Sequence, residues 1–500
     1  MGFEVLGIAS QALAAQQLAL DVTGNNMANA TTPGYHVESV NLTENAPAPD
    51  AVMPTTLIGN GVTATAVTRA TNAFLSSSVR NETSAVGYAT ALTQGISQVQ
   101  NIFQEPQQGG LAEMMNQFNQ SWLTLSQNPT SLSARQSVLQ DGQTLASTLN
   151  GMSSSLQTEE ANVNQNITSQ VQQINQLAQQ IAQLNGQVAT VSTSGQQPND
   201  LLDQRGQLLT QLSQLVQVHY ANGPAGSLDV YIGSHPLVTG EQTFQMQAQP
   251  GPFGNQVPTW TDTQTAVQAQ SGSLAGNMAL LYQLPPHGAT GAASAGYLTS
   301  YGQSLDLIAG NLANMVNYYQ QQGLNLSGTA STSTGGVTQF FTGTTAGTIA
   351  VNSSMTADQI AAATPAAGTA TSGPGNGSNA LDLYNALTTG PMFYSTVPTS
   401  SSPPAGFVPP TSTSSTAPSL ASYYQSTVGK VGLDGQNATN QQTDAQNTLT
   451  SLNNDLQSVT GVDLNQQSVN MIQEQQSYEA AAKLIAAQQS ITQSLLSAVN

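Results

Sequence analysis

Leu6, Leu13, Leu20 and Met27 recur every seven residues at one end of this chain, with Ala9, Ala12, Ala19 and Val22 interleaved. At the other end Leu464, Met471, Tyr478, Ile485, Thr492 and Val499 make a second seven-residue series, reinforced by Val469, Ala482, Leu484, Ile491 and Leu495. A heptad puts a narrow apolar stripe along one face of a helix. Both termini are therefore predicted to be amphipathic helices. The second begins after Gly461, with Asp463 near its first turn, and reaches about 57 Å at about 1.5 Å per residue. Stripes this thin, flanked by Gln, Ser and Ala and lying where chains normally fray, need partners: a globular body, each other, or another molecule.

The first helix is stopped abruptly. In "GNNMANATTPGY" (24–35) Gly24 and the asparagines tolerate left-handed or side-chain-bonded turns. Pro33 pushes Thr32 out of the helical region, and Gly34 permits a turn before Tyr35, which either closes that turn or stacks on a neighbour. "HVESVNL" (36–42) and "NGVTATAVTRA" (60–70) then read as strands. Helical pattern follows over about 71–103, 110–127, 131–190 and 199–219. In the last of these Leu201, Leu202, Leu208, Leu212 and Leu215 share one broad face. Residues 225–265 are β-rich, with a strand pair turning at Gly233 and Ser234, and helix returns over 292–322 and 421–500. Between the last two, 324–420 is rich in Gly, Thr, Ser and Pro with short apolar strands such as "GTIAVN" (347–352).

The expected fold is mainly α with β-rich insertions: terminal helices forming a coiled coil, a long-helix bundle core and a small inserted β-rich domain. Residues 1–70 and 459–500 form the axial part. Residues 71–326 and 421–458 form the helical core, with its β-rich section near 225–265, and 327–420 an inserted outer domain that the core can fold without.

Charge narrows the function. Six basic residues face 25 acidic ones, a net charge of −19, so there is no positive surface for phosphate backbones or anionic lipid, and neither nucleic acid nor membrane is an expected partner. Only 6% of residues are charged, which leaves Gln, Asn, Ser and Thr to supply the polar surface. With so few basic groups, protonating the carboxylates leaves a nearly neutral chain, which points to tolerance of acid. The chain has no Cys, so an oxidising exterior leaves it unaffected. The first 22 residues have no basic n-region and no continuous apolar h-region, so export would not use a cleaved signal peptide.

Catalytic constellations are not evident. His36, His219, His235 and His287 lack the pairing of a metal site, and the adjacent Glu159 and Glu160 read as a solvated helix face. "GTTAG" (343–347) and "GPGNG" (373–377) do not open onto a helix carrying Lys, and no G-x-S-x-G elbow occurs. No catalytic residue, metal or cofactor is expected.

The segment "ALDVTGNNMANATTPGYHVESV" (19–40) resembles the N-terminal signature of the bacterial flagellar axial proteins, the rod, hook and hook-associated family. "TGVDLNQQSVNMIQEQQSYEAAAKLIAAQQSITQSLLSAVN" (460–500) is similar to that family's terminal helix. Within the chain, "NDLLDQRGQLLTQLSQLVQVHY" (199–220), "GSLDVYIGSHPLVTG" (226–240), "SGSLAGNMALLYQLPP" (271–286), "LDLIAGNLANMVNYYQQQGLNLSG" (305–328) and "SNALDLYNAL" (378–387) resemble its hook-associated members. The likeness is weakest over about 391–420, an added Pro/Ser/Thr loop.

This resemblance implies a structural protein joining hook to filament by coiled-coil self-assembly. The implied partners are copies of itself in a helical ring, the hook protein, a second junction protein or filament protein, and an export chaperone on the C-terminal helix. It also implies type III export to an extracellular place on the flagellum. The expected assembly residues are Leu6, Leu13, Leu20, Met27 and Tyr35 with Met471, Tyr478, Ile485 and Leu495, on seams left unpaired until assembly. The competing readings are another axial protein, flagellin or hook protein, and an appendage-borne hydrolase with its activity in 324–420.

Overall fold

A computed structural model describes residues 2–49, 57–103, 109–285, 291–330, 332–333, 336–337, 339–365, 373, 375–401, 403, 407–410 and 416–499. Most of them are helical: α1 (Gly2–Ala28), α2 (Ala73–Phe103), α3 (Leu111–Gln127), α4 (Leu132–Thr193), α5 (Asn199–Leu215), α6 (Ser273–Leu281), α7 (Tyr297–Gln322), α8 (Ser378–Thr388), α9 (Leu420–Thr460) and α10 (Leu464–Val499). The fold is mainly α with small β additions.

The body is organised on α4. Ser131 caps its N-terminus by accepting a hydrogen bond from the Ala134 amide. Buried residues then recur at helical spacing from Val138 through Leu145, Leu156, Ile167, Ile174 and Ile181 to Val188. The 62 residues extend about 93 Å at about 1.5 Å per residue. Helices α3, α5, α6 and α7 pack against this spine, and α2 and α9 run along each other, with Gln442 donating to the Thr90 hydroxyl at 3.1 Å.

A four-stranded antiparallel meander (His219–Asn222, Leu228–Ile232, His235–Thr239, Gln242–Thr243) covers one end of α4, its tight turn at Gly233 held at φ 59°. Asn185 of α4 fastens it, donating to the carbonyls of Leu228 (2.8 Å) and Gly240 (2.7 Å) and accepting from the Leu228 amide (3.1 Å). Asn175 does the same for Met246, donating to its carbonyl at 2.8 Å and accepting from its amide at 3.0 Å. These asparagines, Asn185 buried and Asn175 half-buried, stand in for a neighbouring strand, which is one use of the amide-rich composition.

Helix α7 carries the most extended example. Asn311, Asn314, Asn317 and Gln320 lie three residues apart, all buried, and clamp two irregular segments of backbone. Asn311 pairs with both backbone groups of Tyr394, Asn314 donates to Ser400 O at 2.8 Å, and Gln320 bridges Gln359 O and the Ala361 amide. Asn317 accepts from the amides of Phe340 (2.8 Å) and Phe341 (2.9 Å) and donates to Phe341 O (2.8 Å) and Ser401 O (2.5 Å).

These clamps change the reading of 327–420. Phe340 and Phe341, both 0% exposed, pack on Phe118 at 6.0 and 5.8 Å, and Phe340 lies 5.9 Å from Trp122. Ile349, Ile360 and Leu383 belong to the same continuous core. The described residues of this stretch form two-residue strand pairs and α8, and they pack into the core rather than standing apart from it. Gly, Thr and Ser suggest an outlying loop, but side-chain amides satisfy its backbone without a sheet, so an irregular segment can be buried.

Helix α6, unmarked by any helical period, is buried at seven of its nine positions and has no polar face to reveal it. By length and composition Val5–Ala28 of α1 could also cross a membrane, with mean hydropathy 1.2. In the folded chain it pairs instead with α10.

Candidate functional site

Helices α1 and α10 pack antiparallel in the folded chain: Thr23 bonds Glu474, and three residues later Asn26 bonds Gln467, seven residues earlier in α10. The other flank of α1 rests on a hairpin of strands Glu38–Glu44 and Val62–Arg69, where Asn45 donates to Gln11 Oε1 at 2.9 Å. The terminal helices thus pair within one chain, contrary to seams left open until assembly.

The side chains that these helices bury, against each other and the hairpin, are small or polar. Ala15, Ala19, Val22 and Asn26, spaced four, three and four, are buried on α1 with Ala9 and Thr23, and Gln467 and Ala481 are buried on α10. Leu6, Leu13, Leu20 and Met27 flank this seam half-buried, as do Met471, Tyr478 and Ile485 on α10; the side chain of Leu495 lies outside the described residues. The leucine series shares the period of the alanine series but not its place on the helix, and size alone drew attention to the leucines.

Val469, Ile472, Leu484 and Ile491 do not reinforce the inner seam. At about 100° per residue they fall within about a third of the helix circumference, Val469 and Ile472 on the side away from Gln467, Glu474 and Ala481 and Leu484 and Ile491 on the flank between. They are 53 to 58% exposed. The pair therefore closes on alanines and amides and presents large apolar side chains outward.

Asn26, 1% exposed, is the fastener of this region. Its amide nitrogen donates to Glu38 O (2.8 Å) and Gln467 Oε1 (3.2 Å), and its oxygen accepts from the Tyr35 hydroxyl (2.8 Å) and the Glu38 amide (2.9 Å). One side chain thus ties α1, the turn, the first strand and α10 together with its full hydrogen-bonding capacity. Tyr35 closes the turn in this way, and burial pushes its hydroxyl pKa far up. The helix runs on through Gly24 to Ala28 instead of stopping at Gly24, and the turn at 29–35 folds the chain back so that Asn26, in the last turn of α1, reaches both Tyr35 and the first strand.

Glu474 is the exception in the seam. Its Oε1 accepts from Thr23 Oγ1 at 3.1 Å, but its Oε2 is buried without a hydrogen-bond partner, and burial raises its pKa above the ordinary 4.5 despite the Thr23 bond. The sign follows from linkage. A carboxyl whose folded pKa lies above its unfolded value disfavours the paired state when ionised, so the penalty is absent below pH 4.5 and grows until the raised folded value is passed. The terminal pair is expected to tighten in mild acid, and Glu474→Gln to flatten that dependence in thermal melts across this range. An equal pH dependence in the variant would show that Glu474 is not its source.

The body grips the axial hairpin through α5. Asp203, buried, accepts from the His36 amide (3.1 Å) and contacts His36 Nδ1 (2.7 Å) and Arg69 Nη1 (2.6 Å). Asn199 donates to Val67 O at 3.0 Å and Gln207 to Pro33 O, while the Val37 amide donates to Thr460 O at 2.8 Å. Sequence reasoning missed Asn26, Gln467, Glu474 and Asp203. The signals available were polar residues set inside or beside a heptad seam and the acid-base pair of "LLDQR".

A family described as flagella basal body rod protein matches residues 6–36, and flagellar basal body rod FlgEFG protein C-terminal matches 457–498, the two partners of the terminal pair. The flagellar hook-associated protein FlgK helical domain matches 96–336. Flagellar hook-associated protein 1 of Bacillus subtilis (strain 168) is 28% identical over 526 residues, covering 98% of this chain and 96% of the relative. The proteins of that name from Escherichia coli (strain K12) and Salmonella typhimurium (strain LT2) are 25% and 29% identical over 310 residues, 61% of this chain and 54% and 53% of theirs. The solved structure of the flagellar hook junction protein FlgK from Burkholderia pseudomallei superposes with a TM-score of 0.60 at 16% identity, covering 77% of this chain and 100% of that one, a likeness of fold.

Proposed function

Because this chain belongs to the hook-associated branch of the bacterial flagellar axial proteins, a structural family, we propose that its α1–α10 pair is the element by which it assembles between hook and filament. The observation that carries this reading is the outward stripe of Val469, Ile472, Leu484 and Ile491 on a helix pair already closed by its own inner seam. A closed pair does not need a neighbour to fold, and its exposed apolar stripe gains from one. Residues 1–70 and 459–500 form the axial part of the subunit, and the body, which takes in the described core residues of 327–420, stands outside. Copies of the chain complete a ring through this stripe, with hook protein on one side and a second junction protein or filament protein on the other. The C-terminal helix, whose outer face carries this stripe among exposed amides, suits an export chaperone that covers it before type III export without a cleaved signal peptide. In this reading the subunit holds a place in an assembly and performs no reaction.

The expected result of Leu484→Asp is a split between fold and assembly. Monomer stability changes by no more than about 0.5 kcal/mol, because the site is exposed. The same carboxylate in the assembled ring is buried against apolar neighbours, at a cost of several kcal/mol. Cells carrying it are expected to shed filament protein into the medium. Normal filaments on such cells would exclude the stripe as the assembly surface.

A further inference from the structure

Residues 391–419, "PMFYSTVPTSSSPPAGFVPPTSTSSTAPS", contain no Asp, Glu, Lys or Arg and consist largely of Ser, Thr and Pro. Composition of this kind is that of O-glycosylated stalks. The structure adds where the hydroxyls stand. Backbone on either side of 395–399 is held down by the α7 amides: Asn311 with Tyr394 N (2.9 Å) and O (3.1 Å), Asn314 with Ser400 O (2.8 Å), and Asn317 with Ser401 O (2.5 Å). Pro398 is buried against Gly310, where a Cβ would meet its ring at 2.5 Å. The span between the clamps is thus fixed along its inner edge, while Ser395, Thr396 and Thr399 are exposed.

Their hydroxyls have no hydrogen-bond partner among the described residues. Hydroxyls nearby behave differently: Thr388 donates to Tyr384 O at 2.8 Å, Thr389 to Asn385 O at 3.0 Å, and Ser419 caps α9. Beside the exposed three lies an aromatic group, Tyr394 stacked on Phe407 at 5.8 Å with Phe393 at 5.1 Å from Phe407, all half-buried, and Val408 is 81% exposed. An apolar surface of this kind, next to unengaged hydroxyls and without charge, suits the C–H face of a sugar ring.

We propose that Ser395, Thr396 and Thr399 are acceptor sites for O-glycosylation by a separate glycosyltransferase using a nucleotide-activated sugar. The hydroxyl oxygen attacks the anomeric carbon and forms the new C–O bond. The bond from that carbon to the donor phosphate breaks, and the nucleoside diphosphate leaves with the electron pair. The hydroxyl proton passes to a base on the transferase, and nothing is oxidised or reduced. The acceptors need no unfolding to be reached, and the attached sugar covers the aromatic group beside them.

The test compares the intact mass of the chain isolated from its own organism with that of the same chain made in a host lacking O-glycosylation, with fragmentation that preserves the O-link. The native chain is expected to be heavier by a whole number of sugar residues located on Ser395, Thr396 or Thr399. The triple variant Ser395→Ala, Thr396→Ala, Thr399→Ala is expected to lose that increment while melting like the parent. A native chain of unmodified mass, a phosphate in place of a sugar, or sugars found only elsewhere would overturn the proposal. Site mapping on the native chain decides the matter even if the variant folds poorly.

Discussion

Asn317→Ala is expected to destabilise the body by about 3 to 5 kcal/mol in denaturant unfolding, at the upper end of what single substitutions do. The residue is 0% exposed and holds the Phe340 and Phe341 amides and the Phe341 and Ser401 carbonyls. Alanine leaves those groups buried and unpaired, at about 1 to 3 kcal/mol each before the segment relaxes. It also frees the backbone that presents Phe340 and Phe341 to Phe118 and Trp122. One helical turn earlier lies a built-in control. Asn314 is equally buried, but its Oδ1 has no partner and its amide reaches only Ser400 O outside its own helix. Asn314→Ala should therefore cost about 1 to 2 kcal/mol. Equal losses at the two positions would mean that filled volume, not hydrogen bonding, is what these amides contribute.

Asn26→Ala is expected to act locally and strongly. Tyr35, Glu38 and Gln467 lose their common partner, a loss of about 3 kcal/mol or more at the terminal pair. Because α1 and α10 form a unit joined to the body by few bonds, the pair opens without the body unfolding. Limited proteolysis should then remove roughly the first 30 and last 40 residues of the variant much faster than those of the parent. The main melting transition should stay in place. Unchanged trimming, or a body that melts together with the pair, would refute this picture of the hub.

Most of the helical frame could be read from the chain. The expected spans 71–103, 110–127 and 131–190 became Ala73–Phe103, Leu111–Gln127 and Leu132–Thr193, because apolar period and breakers agree there. The turn at Gly233 and the strand after the helix stop were equally plain. What stayed hidden is polar. Asn26, Asn185 and Asn317 look like surface residues, since buried amides are uncommon and their partners are backbone groups that sequence cannot point to. The outward stripe was half visible: Val469, Leu484 and Ile491 stood out in the sequence, but as reinforcement of the seam, whereas all three are more than half exposed. On α1 the alanines that do the packing carry too little apolar area to stand out beside Leu13 and Leu20.

The 62-residue span of α4 has a mechanical consequence. A rotating appendage passes torque from subunit to subunit, and a helix about 93 Å long, at about 1.5 Å per residue, is stiff along its axis when packed on several sides. The body therefore turns as one piece. Twist between axial pair and body has to be absorbed where they meet: at the Asp203 contacts with His36 and Arg69, at the Asn199 to Val67, Gln207 to Pro33 and Val37 to Thr460 bonds, and at the two chain crossings, 70–73 and 460–464. Compliance gathered at these contacts makes the joint a torsion spring between a stiff body and the terminal pair.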